Sequence, residues 1–158
     1  DDGRIPFEEF VAKIDSMTRK MQAAQGRVQI VRKKGQTPTP ELLWSERRYL
    51  PEIPTILPYG DRVYAVLNGG FFVVRDANTG KLIEKDRLNA SGMYAASPVA
   101  ANDHIYFASR RGVVTVMKTD DSFEKVSTIQ LDGEIYATPA IQETLMFFRT
   151  TKWLYAFQ

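Results

Sequence analysis

The sequence contains no cysteine and a single histidine, His104. Without cysteine there are no disulfides, no thiol catalysis and no thiolate metal sites, although this does not fix the redox compartment. One histidine excludes a histidine-rich metal centre. Charge of either sign is not in excess: Lys and Arg number 21 against 19 Asp and Glu, a net charge of +2. A DNA- or RNA-binding face would show as a clustered basic stripe, and none is present. The short run Arg32-Lys33-Lys34 before Gly35 reads as a solvated turn. No apolar run approaches the ~20 residues of a membrane span. No secretory leader is visible, and the first residues read as the inside of a motif.

What is present is ordinary globular material, 44% hydrophobic and 25% charged over 158 residues, enough for one modest domain and a small extra element. Its informative property is internal repetition. Thr55-Ile56-Leu57 with Val63-Tyr64-Ala65 matches Ser97-Pro98-Val99 with Ile105-Tyr106-Phe107, and both match Thr138-Pro139-Ala140 with Met146-Phe147-Phe148. Tyr64 and Tyr106 are 42 residues apart, Tyr106 and Phe147 41, and Thr55, Ser97 and Thr138 keep the same spacings. A period near 42 is that of β-propeller blades, in which each unit buries its faces against its neighbours.

The chain opens differently. Phe7, Phe10, Val11, Ile14, Met17 and Met21 fall on one face of a helix. Pro6 suits its start and Gly26 the residue past its end, so a helix is expected from about Phe7 to Gln25. From Arg27 the alternation becomes β: Val28–Arg32 gives a weak strand signal, Gly35–Pro40 a connector, and Leu42-Leu43-Trp44 a short apolar strand. The expected strands continue at Thr55–Leu57, Arg62–Leu67, Phe71–Asp76 and Leu82–Arg87. A second set is Ala96–Ala100, His104–Ser109, Val113–Lys118 and Lys125–Leu131. A third is Ala137–Gln142, Leu145–Thr150 and Leu154–Phe157. Turn residues such as Asn68-Gly69-Gly70 and Asn78-Thr79-Gly80 separate them.

Two sets are complete with four strands and the last has three. Propellers have at least about four blades. The expectation is therefore the C-terminal part of a larger ring, whose last blade lacks an outer strand and whose open ends a companion segment or chain completes.

From Val28 to Gln158 the chain resembles the PQQ-like (quinoprotein-type) β-propeller repeat proteins. The resemblance rests on Ala96-Ser97-Pro98-Val99 with Ile105-Tyr106, Gly112 and Val116, and on the final Ala137-Thr138-Pro139-Ala140, Phe148-Arg149-Thr150 and Leu154-Tyr155-Ala156. Asp76-Ala77-Asn78-Thr79-Gly80-Lys81 resembles that family's D-x-x-T-G-K turn, where Asp and Asn cap and Gly takes positive φ. The family places a Trp four residues after that Gly; here the position is Glu84. In the next repeat Thr119-Asp120-Asp121-Ser122-Phe123 lacks the Gly-Lys pair, while Trp44 stands where the preceding blade's docking Trp would be.

A second resemblance covers the first 21 residues or so. Asp2-Gly3-Arg4-Ile5-Pro6-Phe7-Glu8-Glu9-Phe10 resembles the second half of an EF-hand calcium loop and its exit helix. The fifth, sixth, eighth and twelfth loop positions fall on Asp2, Gly3, Ile5 and Glu9. The resemblance implies a bidentate carboxylate from Glu9, one oxygen from Asp2 and the backbone carbonyl of Arg4. Pro6, at the ninth position, offers no side-chain oxygen, so water would fill that place. The first and third ligand positions precede Asp1, and Ca²⁺ wants about six to eight oxygens, so these residues alone bind it poorly. The alternative is an ordinary acidic helix start.

Other chemistry is sparse. His104 follows Asp103 and is near Ser97 in sequence, but adjacent residues rarely form a working triad, and a hairpin-turn histidine is the plainer reading. Thr55, Ser97 and Thr138 either tie neighbouring blades by hydrogen bonds or face a central channel; in-register repetition is what packing of repeats produces. Arg110, Arg111, Arg149 and Lys152 fall in turns and could meet an anion such as the carboxylates of PQQ.

The expected fold is thus all-β, a partial β-propeller of four-stranded antiparallel blades over residues 27–158, preceded by one α-helix within an EF-hand-like segment, residues 1–26. The resemblances imply a periplasmic or secreted location. They imply a non-catalytic scaffold for protein or ligand interaction; PQQ-like outer-membrane assembly lipoproteins are among the relatives. The alternative is a periplasmic quinoprotein dehydrogenase using PQQ and Ca²⁺ on alcohols or sugars. For that enzyme no residue of this chain can be given the catalytic role.

Overall fold

Residues two apart on an extended chain share a face, so alternation fixes which side chains point into a sheet interface. The computed structural model describes residues 42–158. The first sheet runs β1 (Leu57–Tyr59), β2 (Arg62–Leu67), β3 (Phe71–Asp76) and β4 (Leu82–Arg87), in the order β1-β2-β3-β4. The second repeats it with β5 (Val99–Ala101), β6 (His104–Ala108), β7 (Val113–Lys118) and β8 (Lys125–Gln130). The third holds β9 (Ala140–Gln142), β10 (Leu145–Arg149) and β11 (Leu154–Phe157). All pairs are antiparallel, and their registers repeat: Tyr64 faces Val74 and Tyr106 faces Val116. Even the irregularities recur, with register shifts at Val74/Arg75 and at Val116/Met117. These are meander blades, as the 42-residue period predicts.

Two apolar layers lie between the sheets. Tyr64, Val66, Phe72 and Val74 meet Ile105, Phe107 and Met117. Ala108 and Val114 meet Met146 and Phe148, with Leu131 and Ile135 closing the end. Each fully buried side chain of this size contributes about 1.5–3 kcal/mol over exposure. The rings of Phe72 and Phe107 lie 6.3 Å apart, tilted, across the first interface. The middle sheet is thus covered on both faces, which is why its central strands read as nearly continuous apolar runs.

Four expectations need correction. Leu43 and Trp44 form no strand; they belong to irregular chain, and Trp44 is held by a turn of the first sheet instead. The innermost strands begin later than the alternation suggests, at Leu57, Val99 and Ala140 rather than Thr55, Ala96 and Ala137. The cause is that the preceding residues bond between sheets: the Thr55 and Ser97 amides donate to hydroxyls of the next repeat, and Pro98 and Pro139 have no N–H to give. Arg149 ends β10 rather than lying in a turn. Strands β6, β8 and β10 each stop one residue short of the expected range, at Ala108, Gln130 and Arg149. The expected helix (Phe7–Gln25), the Val28–Arg32 strand and the boundary at residues 26/27 lie outside the described residues.

Candidate interaction surface

The three hydroxyl residues prove to be ties. Thr55 N donates to Ser97 Oγ at 2.8 Å, and Ser97 N donates to Thr138 Oγ1 at 3.0 Å. The Ser97 and Thr138 hydroxyls each accept the amide of the preceding repeat, while Thr55 takes part through its amide alone, so the spacing of 42 and 41 is the step from one sheet to the next. His104 is equally local: its Nδ1 donates to the Asn102 carbonyl at 2.6 Å, bracing the hairpin whose Asn102 and Asp103 both take positive φ.

A second tie lies at the turns that follow β6 and β10. Arg110 N donates to Met93 O at 2.9 Å and Thr151 N to Glu134 O at 2.8 Å, the same bond one repeat apart. The loops returning from the outer strands are therefore pinned onto the turns of the next sheet. Side chains stand on this pinned backbone. The Arg110 guanidinium lies 4.8 Å above the Tyr136 ring centre and 3.3 Å from the Glu134 carboxylate. Tyr136 Oη donates to the same carboxylate at 2.7 Å, and Arg110 also reaches Met93 Sδ at 3.7 Å. The hydrogen bond from Tyr136, with the Arg110 charge behind it, holds the Glu134 carboxyl below its ordinary range. Next to it, Lys152 Nζ and Trp153 Nε1 donate to the two oxygens of Asp132 at 2.8 and 3.2 Å, which lowers that carboxyl as well. Met93, Tyr136 and Trp153 remain 45%, 45% and 58% exposed. One end of the sheets thus presents a braced set of Met, Tyr, Trp and Arg side chains.

Of the cations singled out from sequence, Arg110 and Lys152 are paired with Glu134 and Asp132. They belong to this surface but are not gathered around a shared anion pocket. Among the described residues no three His, Asp or Glu side chains stand together as a metal-ligand set. The candidate calcium ligands Asp2, Arg4 and Glu9 lie outside the described residues.

Two contacts had no sequence signal beyond residue type. Arg75, on β3, is only 7% exposed; it donates to the carbonyls of Gly80 and Arg48, each at 3.0 Å, and lies 3.4 Å from Glu46. Arg62, on β2, lies 5.2 Å from the Phe123 ring centre, donates to Thr119 O at 2.9 Å and pairs with Asp121. Arg62 and Phe123 thus anchor the turn that has lost its Gly-Lys pair. Phe123, at φ 47°, turns its ring into the first core layer, 6.3 Å from Phe72.

No family profile and no curated protein matches the chain. Among solved structures it is similar to BamB from Moraxella catarrhalis, with a TM-score of 0.54 and 21% identity over 65% of this chain and 32% of that one. A second is the β-propeller domain of Myceliophteria thermophila Cps50 (Swd1), with a TM-score of 0.42 and 11% identity over 61% of this chain and 35% of that one. The chain spans about a third of the length of the first of these. The likeness to BamB, together with the repeated four-stranded meanders, shows the fold to be that of β-propeller blades.

Proposed function

We propose that this chain is part of a non-catalytic, extracytoplasmic propeller scaffold that binds a polypeptide. The observation that carries this reading is the braced surface of Met93, Arg110, Tyr136 and Trp153. Tyr, Trp and Arg are the side chains that dominate binding energy at protein interfaces, and here their geometry is set before a partner arrives. The remaining polar candidates support it too: the Ser97 and Thr138 hydroxyls and the His104 ring are engaged in holding repeats and turns together. The extracytoplasmic location follows from the PQQ-like resemblance. The EF-hand-like resemblance adds to this reading a calcium site in which Asp2, the Arg4 carbonyl and Glu9 supply part of the oxygen set.

Calorimetric titration of PQQ into the intact parent protein, with and without Ca²⁺, tests the choice between scaffold and dehydrogenase. No binding in either condition is expected; saturable, calcium-dependent binding at one site per ring overturns the scaffold reading. A photo-crosslinking residue at Tyr136 and at Trp153 of the parent protein in its own cells tests the surface. Both positions are expected to label the same polypeptide, and labelling of none would remove the proposed interface.

A further inference from the structure

Asn68-Gly69, in the turn between β2 and β3, is the one Asn-Gly pair of the chain. Glycine has no Cβ, so its nitrogen is the least hindered main-chain group for attack on the amide side chain before it. The attack joins Gly69 N to Asn68 Cγ and breaks the Cγ–Nδ2 bond. The Gly69 proton passes to base in the solvent, and the leaving nitrogen takes up a proton and departs as ammonia. Water then opens the succinimide ring at either carbonyl, giving aspartate or isoaspartate. Asn68 is half-buried, so water reaches it once it is free.

The groups this reaction needs are all held. Asn68 Nδ2, the leaving nitrogen, donates to Glu52 Oε2 at 2.8 Å, and Asn68 Oδ1 accepts from Tyr94 N at 2.8 Å. The nucleophile, Gly69 N, donates its proton to Gly92 O at 2.7 Å. Attack requires Cγ to swing onto Gly69 N, within about 3–3.5 Å and in line with its lone pair. It also requires the Gly69 proton to leave. Both steps need the turn to part from residues 92–94, which is a local opening of the fold.

The next repeat shows what Asn68 does for the structure. Gly70 N–Leu67 O with Leu88 N–Gly70 O matches Gly112 N–Ser109 O with Leu131 N–Gly112 O, which puts Asn68 in register with Arg110 and Gly69 with Arg111. Tyr94 and Ile135 each stand three residues before a tying hydroxyl, Ser97 and Thr138. Ile135 N is received by the main-chain carbonyl of Arg110 at 3.2 Å, whereas Tyr94 N is received by the Asn68 side chain. A covalent change in one side chain therefore reaches this loop directly. Deamidation replaces the Nδ2 donor with a carboxylate oxygen facing Glu52, a contact between like charges. Isoaspartate also puts an extra methylene into the main chain ahead of Gly69 N. Met93 stands between Gly92 and Tyr94, the two residues that the turn holds.

We propose that Asn68-Gly69 is a deamidation site that Glu52, Gly92 and Tyr94 keep closed, and that its conversion releases the segment carrying Met93. The site stands on its own geometry; only the effect on the Met93 surface rests on the scaffold reading.

The test ages the full chain in mildly alkaline buffer beside the free peptide Val-Leu-Asn-Gly-Gly-Phe, which copies residues 66–71. Conversion at residue 68 is read by peptide mass mapping. It is expected to be at least about tenfold slower in the chain than in the peptide, because it waits for local opening. Glu52→Ala frees Nδ2 and is expected to speed conversion severalfold. Equal rates in chain and peptide, or no effect of Glu52→Ala, overturn the closed site. Asn68→Asp makes the product directly. Hydrogen exchange at Gly69 and Tyr94 is expected to accelerate severalfold in this variant at neutral pH. Adding Glu52→Gln, whose amide donates to the new carboxylate, should restore slow exchange, and that recovery shows the fold to be intact. Unchanged exchange in Asn68→Asp overturns the release of the segment. Failure of Tyr136 and Trp153 to crosslink a polypeptide would remove the scaffold reading and leave these rates as they are.

Discussion

The indole of Trp44 lies flat against Gly80, so close that a Cβ on the glycine would stand 2.6 Å from the ring, and its Nε1 donates to Ala77 O at 2.9 Å. Gly80 also takes φ +70°, a conformation that costs a side-chain-bearing residue about 1–2 kcal/mol. Gly80→Ala therefore carries both a backbone and a contact penalty, and a loss of about 1–3 kcal/mol is expected in urea unfolding. In the Trp44→Ala background the contact part disappears, so the double variant should lose less than the sum of the two single ones. Strict additivity would show that the indole does not rest on this turn in solution.

The hydroxyl ties make a prediction that is specific to single amides. Ser97→Ala removes the acceptor of Thr55 N and leaves the Ser97 amide bonded to Thr138 Oγ1. Hydrogen exchange at Thr55 should accelerate while exchange at residue 97 holds; Thr138→Ala should release residue 97 instead. The stability loss for either is expected near 1 kcal/mol, the usual net worth of one such bond. If both amides respond equally to both substitutions, the ties act through general loosening rather than as separate links.

Thr115 is fully buried on β7, and its hydroxyl finds no hydrogen-bond partner. An unsatisfied buried hydroxyl costs about 1–3 kcal/mol. Valine has nearly the same shape and no polar atom, so Thr115→Val is expected to raise stability by about 1 kcal/mol, read as a higher urea midpoint at unchanged slope. A lower midpoint would mean that the hydroxyl has a partner, such as a buried water.

Much of this was legible from spacing because the repeat constrains whole strands at once. Tyr64, Tyr106 and Phe147 occupy the same place in β2, β6 and β10. Their alternation with neighbours fixes which residues enter each interface. The starts of the inner strands were not legible, since Thr55 and Ser97 have strand-like side chains but send their amides between sheets. Nor was the Arg62–Phe123 contact: it joins residues 61 apart in sequence through a turn that departs from the repeat, and nothing local marks either residue as the other's partner. The surface of Met93, Tyr136 and Trp153 depends on how three loops are pinned, which periodicity within strands does not encode.

The turn after β3 makes stability depend on pH through the Asp76 carboxylate. Asp76 Oδ1 accepts from Thr79 Oγ1 at 2.8 Å, from Thr79 N at 2.7 Å and from Asn78 N at 3.0 Å. These bonds, the Thr79 hydroxyl first, favour the ionised form and hold the carboxyl below its ordinary value. Between the folded and unfolded values the unfolded chain binds the proton and the folded chain does not, so protonation pulls the equilibrium towards unfolding. The contribution of Asp76 is present in full above the ordinary Asp value of about 3.9 and is lost as pH falls through the lower folded value. Asp76→Asn keeps an acceptor oxygen but no charge. Its deficit relative to the native sequence should be largest at neutral pH and shrink steadily towards about pH 2–3 in urea titrations. A deficit that stays constant across that range, or an Asp76 carboxyl that titrates at or above about 3.9 by NMR, would show that the cap does not discriminate between the two protonation states.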